Sequence, residues 1–80
     1  MNAKYMAPKD LRELIDPHGG FDCTVHTMQI EEIDQRPQLV LYVLEDPRGI
    51  IVGRKLYEDL TARYGRCSFA DDFFRIHGLQ

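Results

Sequence analysis

The stretch of sequence that decides the fold is residues 39–65, LVLYVLEDPRGIIVGRKLYEDLTARYG. Its first six residues are all apolar or aromatic, which predicts a central strand over residues 39–44 that is buried on both faces. The segment from Asp46 to Gly49 is typical of a tight turn, because Pro47 pre-sets φ and glycine accepts a positive φ. Residues 50–52 then complete a hairpin.

A helix over residues 54–64 is predicted to follow the hairpin. Leu56, Leu60 and Tyr64 recur every four residues, so they share one apolar face of this helix. Gly65 occupies the position of a left-handed C-terminal cap. Residues 39–65 therefore predict strand, turn, strand and helix, in that order.

The residues before this stretch predict a short helix and a long first strand. Pro8 suits the first turn of a helix, whose apolar face ends at Ile15. Residues 21–33 predict the first strand. Its apolar residues have odd numbers up to Val25 and even numbers at Met28 and Ile30, so the apolar face of the strand changes near His26 and Thr27. We interpret this change as a bulge, or as the curl of a strand that is buried on each face in turn.

At the other end of the chain, residues 73–76, FFRI, predict a last short strand. Such a strand would be able to complete the sheet of a second copy, so a homodimer is one expected arrangement. The predicted class is α+β, a small curled antiparallel sheet (an OB-like partial barrel or a meander) packed against one helix. A length of 80 residues with 44% hydrophobic and 29% charged residues predicts one globular domain, residues 1–80.

The sequence also bears on membrane insertion and on location. No apolar run approaches the roughly 20 residues that a membrane-spanning helix needs. The N-terminal residues lack the apolar core of a signal peptide. Cys23 and Cys67 are the only cysteines, which does not indicate a disulfide framework. We therefore expect a cytoplasmic protein that does not interact with membranes.

The candidate metal ligands are Cys23, His26, Cys67 and His77. Cys23 and His26 are three residues apart, which on a regular strand places them on opposite faces. The spacing between Cys67 and His77 is not typical of zinc sites. The chain also has no phosphate-binding glycine loop and no nucleophile elbow. We therefore expect no metal, no cofactor and no enzymatic activity.

Charge is distributed unevenly along the chain. Residues 1–46 carry nine acidic and four basic side chains, whereas residues 47–80 carry four acidic and six basic ones. The formal net charge of −3 excludes a uniformly basic nucleic-acid binder. The uneven distribution is still compatible with an acidic surface formed by residues 1–46 and with a local basic patch formed by residues 47–80.

One group of known proteins has a similar pattern of core, turn and cap positions, which here are residues 39–43, residues 49–52, Leu60, Tyr64 and Gly65. In this pattern residues 10–65 resemble small phage and prophage proteins, most of them of unassigned function. The resemblance implies a mobile-element origin and an OB-like partial barrel. Two asparagines of the family pattern are replaced here by Gly53 and Leu56, and its later tryptophan by Phe73 or Phe74. If those asparagines carry the family's function, this chain has lost it.

Two functional hypotheses follow from the charge pattern. The first is a phage-type protein-interaction module that binds or inhibits a host protein through acidic residues, for which the candidates are Glu31, Glu32 and Asp34. The alternative is an OB-like accessory protein that binds single-stranded nucleic acid weakly through a basic patch, for which the candidates are Arg48, Arg54, Lys55 and Arg63. Tyr42, Phe73 and Phe74 would be the stacking residues in the second case. The net negative charge favours the first hypothesis.

Overall fold

The computed structural model describes residues 5–23, 25–44 and 46–78. Its regular elements, within these residues, are α1 (Pro8–Ile15), β1 (Thr27–Ile33), β2 (Arg36–Tyr42), β3 (Gly49–Ile51), α2 (Arg54–Tyr64) and α3 (Ser68–His77). A single 3₁₀ turn, Asp16–His18, extends α1. None of the helices in the described part of the chain is long and apolar enough to cross a membrane.

The three strands form an open antiparallel sheet with the order β1-β2-β3. Asp34 and Gln35 connect β1 to β2 with φ values of +53° and +65°. Two successive positive φ angles are typical of the tight hairpin turn that matches the twist of the strands. The predicted α+β class is therefore confirmed, and the sheet is a meander rather than a closed barrel.

The core lies between the helices and one face of this sheet. Leu39 and Leu41 of the central strand are fully buried, as are Leu11 of α1, Leu60 of α2 and Phe73 of α3. The central position predicted for residues 39–44 is confirmed for Leu39 to Tyr42. The strand ends there, and Leu44, which was expected to be buried, is 70% exposed. Helices from three parts of the chain, rather than one helix, cover the sheet.

The predicted helix over residues 54–64 is confirmed with the same bounds. Gly65 follows it with a φ of +96°, a conformation that favours glycine. Gly49 is a glycine for a different reason from the predicted one, because its φ is not positive. A Cβ atom there would lie 2.6 Å from the ring of Tyr42 and 2.8 Å from Val40. Close packing of side chains over the backbone, and not turn geometry, therefore requires glycine at this position.

The predicted first strand over residues 21–33 is too long. β1 begins at Thr27, and Thr24 lies outside the described residues. The backbone N–H groups of Val25 and His26 both donate to the carbonyl of Asp22, at 3.0 Å, so the chain turns before the strand begins. The change in apolar parity near residue 26 is thus the start of the strand and not a bulge within it.

The predicted last strand, residues 73–76, is instead part of helix α3. Ala70, Phe73 and Phe74 are all buried, and their spacing of three and four residues is that of one face of a helix. Gly78 ends the helix in the left-handed conformation. The edge strand that was expected to pair with a second copy is therefore not formed by these residues.

Cys23 and Cys67 form a disulfide bond, which the sequence did not indicate. Their Cα atoms are 6.4 Å apart, and 44 residues separate them in the chain. The bond ties the turn before β1 to the start of α3. Disulfides persist in oxidising compartments and are rare in the cytosol. The expectation of a cytoplasmic location rested partly on the absence of a disulfide, and the bond removes that support.

Candidate interaction surface

β1 lies at one edge of the sheet and, among the described residues, pairs with β2 alone. The two-residue turn makes Ile33 and Arg36 the first hydrogen-bonded pair, and such pairs alternate along antiparallel strands. The backbone N–H and C=O groups of Met28, Ile30 and Glu32 therefore point away from β2. The opposite edge of the sheet differs, because the Met6 N–H donates to the Gly49 carbonyl at 2.9 Å.

A second contact confirms this alternation on β2. The Leu39 carbonyl accepts a hydrogen bond of 2.7 Å from the Val52 N–H, just beyond β3. Leu39 therefore directs its backbone groups toward β3 and not toward its cross-strand neighbour, Ile30. Pro37 has the same parity as Leu39, so its missing N–H removes no hydrogen bond to β1. The outward direction assigned to the backbone of Ile30 follows from this pairing.

Ile30 supplies an apolar side chain at this edge. It lies opposite Leu39 in the register, so it shares the face of the sheet that the helices cover. Leu39 is nevertheless fully buried, whereas Ile30 is 49% exposed. The helices therefore cover β2 more completely than β1, and part of the apolar surface at the edge stays open.

Glu31 lies on the other face of the sheet, where the Tyr42 hydroxyl donates a hydrogen bond to its carboxylate. The pKa of Tyr42 is raised to about 12, mainly by this hydrogen bond. Burial of the hydroxyl and the negative charge of Glu31 raise it further. The contact joins β1 and β2 on this face. Tyr42 thus holds Glu31 in place and is not part of an aromatic stacking surface with Phe73 and Phe74.

Glu32 and Asp34 complete the acidic group, and both side chains are exposed. Residues 27–36 contain three acidic side chains, and Arg36 is the one basic side chain in this segment. The structure therefore brings all three acidic candidates to one hairpin. We use the name β1 edge for the strand residues Met28, Ile30, Glu31 and Glu32 together with Asp34 in the turn.

The four basic candidates, in contrast, lie in different surroundings. Arg48 binds Asp46 through its Nη2 at 2.7 Å, and its backbone N–H donates to the same carboxylate at 2.9 Å. These bonds lower the pKa of Asp46. Lys55 lines a cleft in which Arg12 and Asp59 form an ion pair. The structure does not join Arg48 and Lys55 into one patch.

The remaining two basic candidates lie at opposite ends of α2. The Nη2 of Arg63 is 3.9 Å from Asp16 after α1. Arg54 lies over the ring of Phe74, with its Cζ 5.8 Å from the ring centroid. Phe73 and Phe74 are 2% and 5% exposed, so neither ring is open to stacking bases. Arg54 therefore lies near Phe74, one aromatic residue of the expected platform.

The metal candidates are also separated. Both cysteines are consumed by the disulfide, and His77 packs against the ring of Phe73. His26 is buried, with its Nδ1 2.9 Å from the Asp22 carbonyl. Within the described ranges, no group of three or more histidine, cysteine, aspartate or glutamate side chains has an arrangement that would hold a metal ion.

Comparison with known proteins adds no identification. No protein-family model, no curated protein and no solved structure matches the chain. The resemblance to small phage proteins therefore stays a prediction.

Proposed function

We propose that this protein is a protein-interaction module that binds an extended, basic segment of a partner along the β1 edge. The observation that carries the proposal is the coincidence, on one strand and the turn that follows it, of outward-pointing backbone groups, a half-exposed isoleucine and three neighbouring acidic residues. A host protein as the partner is the setting that the resemblance to phage proteins implies.

Strand addition explains how the β1 edge would bind. An extended peptide pairs with the free N–H and C=O groups of an edge strand, and pockets for alternate side chains give specificity. Here Met28, Ile30 and Glu32 would supply the backbone hydrogen bonds. Ile30 would contact an apolar side chain of the peptide on one face, and Glu31 would contact a basic one on the other.

The acidic residues also decide which partner fits. Charged side chains on an edge strand protect it from pairing with further copies. Two copies paired through β1 would bring Glu31, Glu32 and Asp34 of both chains close together, and repulsion between like charges opposes this arrangement. A lysine- or arginine-containing segment meets no such opposition, so a basic partner fits better than a second copy.

The test is an NMR titration of the ¹⁵N-labelled protein with a synthetic peptide of alternating valine and lysine. We expect saturable shifts of the Met28, Ile30 and Glu32 amides, and none with a valine–glutamate peptide of equal length. Neutralising Glu32 and Asp34 should weaken binding about tenfold, since two exposed ion pairs at up to about 1 kcal/mol each together contribute roughly 1.4 kcal/mol.

The matched control neutralises Glu13 and Glu58, two exposed acidic residues on helices, for the same change in net charge. If the control variant loses as much affinity as the variant neutralised at Glu32 and Asp34, net charge alone explains the effect and the proposal is wrong. Concentration-dependent dimers of the free protein, with β1 amides at the interface, would instead identify a second copy as the partner.

A further inference from the structure

Three arginines converge on a cleft of about 350 Å³ beside α2 and α3. The lining residues are Arg54, Tyr57, Arg66, Asp71, Phe74 and Arg75. We propose that this cleft binds the phosphate group of a small molecule. The site is separate from the β1 edge and shares no residue with it.

Asp71 orients Arg66 within the cleft. The guanidinium of Arg66 donates to both oxygens of Asp71, from Nη2 at 2.8 Å and from Nε at 3.2 Å. The hydroxyl of Tyr57 donates to the same carboxylate. The hydrogen bond from Tyr57, followed by those from Arg66, lowers the pKa of Asp71. Asp71 therefore stays ionised and holds Arg66 at the cleft.

Arg54 and Arg75 are positioned by their own contacts. Arg54 lies over the ring of Phe74, which is almost fully buried and therefore fixed in place. The Nη2 of Arg75 donates to Asp72 at 3.0 Å, one helical turn earlier on α3. Three guanidinium groups therefore line the cleft together with one carboxylate, that of Asp71, and Asp72 lies next to Arg75.

The arginines retain donors that these aspartates do not use. A guanidinium carries five N–H donors in a planar fork. Arg66 uses its Nε and Nη2 with Asp71, and Arg75 uses its Nη2 with Asp72. The donors of Nη1 on both side chains are not committed to these aspartates. One N–H of Nη1 runs parallel to one N–H of Nη2 on the same edge of the guanidinium, and such a pair matches the spacing of two phosphate oxygens.

The surroundings of the cleft favour a single phosphate group over a nucleic-acid strand. Strand binding uses a continuous positive groove with exposed aromatic rings. Outside the cleft, Arg12, Arg48 and Arg63 each lie against an aspartate. The two aromatic rings in the cleft, Tyr57 and Phe74, are buried. Three arginines therefore meet at this one cleft, and its aromatic rings are not open to stacking bases.

The experiment follows the side-chain Nε–H resonances of the arginines in the ¹⁵N-labelled protein. Inorganic phosphate, adenosine 5′-monophosphate and a short single-stranded oligonucleotide are added in turn, with ionic strength held constant by sodium chloride. We expect phosphate and the mononucleotide to cause saturable shifts at Arg54, Arg66 and Arg75. Arg36, which is exposed on the hairpin, serves as the internal control.

Two variants with the same loss of charge separate local binding from general screening. Arg75→Gln should weaken phosphate binding about tenfold, the fold-change that corresponds to one charged hydrogen bond. Arg36→Gln should leave it unchanged. Arg75→Lys keeps the charge and removes the planar fork, so its affinity should also fall. Circular dichroism confirms that each variant is folded.

Several outcomes would overturn the proposal. They are a linear response that does not saturate, shifts at Arg36 that parallel those in the cleft, or equal phosphate affinity in Arg75→Gln and Arg36→Gln. An oligonucleotide that binds far more tightly than the mononucleotide, with an affinity that falls steeply with salt, would indicate a strand-binding track. That result would replace the small molecule by nucleic acid.

Discussion

Reduction of the Cys23–Cys67 disulfide should lower the free energy of unfolding by about 4 kcal/mol. The bond joins residues that are 44 positions apart in the chain. A cross-link that closes a loop of this length removes conformational entropy from the unfolded chain, and the loop-entropy relation gives about 4 kcal/mol at 25 °C. The enclosed loop contains all three strands and α2, so most of the fold is affected.

The size of this effect is large for so small a domain. Native domains are stabilised by only about 5–15 kcal/mol, and those of this length lie toward the lower end. A loss of about 4 kcal/mol corresponds to a decrease in Tm of roughly 20 °C for a chain of this size. We therefore expect the reduced protein to be only marginally folded at room temperature.

The assay is urea and thermal unfolding followed by circular dichroism, with and without a phosphine reductant. A variant with alanine at both Cys23 and Cys67 provides the control, because reductant should not change its stability. Alanine is preferred to serine because Cys67 is buried and a hydroxyl would lack a partner. A difference of less than about 1 kcal/mol between oxidised and reduced protein would refute the loop-entropy reasoning.

Two further predictions concern single side chains. The pKa of Tyr42 is raised to about 12, so its contribution to stability is complete below the ordinary tyrosine value and is lost as pH rises through 12. Ultraviolet titration should show this late ionisation, and Glu31→Gln should lower the pKa whereas Glu32→Gln should not. Phe73→Ala should cost about 3–5 kcal/mol in urea unfolding, because the ring is fully buried on α3. Ile76→Ala, at a position that is 67% exposed, should cost less than about 0.5 kcal/mol, and equal losses would contradict the helical assignment.

Local stereochemistry made part of the fold predictable from the sequence. The bounds of α2 follow from its four-residue apolar spacing and from Gly65, and the structure reproduces them. The central position of β2 follows from residues that are apolar on both faces. The apolar spacing and the glycine lie within a few residues of the elements they predict, so a single sequence is enough to recognise them.

Features that depend on distant residues were not predictable in the same way. Two adjacent phenylalanines at 73 and 74 resemble a strand until Ala70 is included in the pattern. The disulfide pairs residues with no local signal for each other. The arginine cleft required the helical assignment of α3, because only a helix brings Arg75 to the same side as Arg66 and Asp71.

The acidic and the basic candidate residues also differ in how far the sequence predicts their arrangement. Glu31, Glu32 and Asp34 are neighbours in sequence, so any fold with a strand there keeps them together. Their position on the outer strand of the described part of the sheet depends on the pairing of β1 with β2, which begins at the turn formed by Asp34 and Gln35. The net positive charge of residues 47–80 predicts one basic patch, but Arg48 and Arg63 lie against different aspartates and Arg54 lies over Phe74.

Residue-specific amide hydrogen exchange shows whether β1 has an open edge that takes up a basic strand. In the free protein, the amides of Met28, Ile30 and Glu32 should exchange rapidly, whereas those of Gln29 and Glu31, which face β2, should be protected. Addition of the valine–lysine peptide should protect the first three. Slow exchange of these amides in the free protein, or continued rapid exchange when the peptide is bound, would contradict the account.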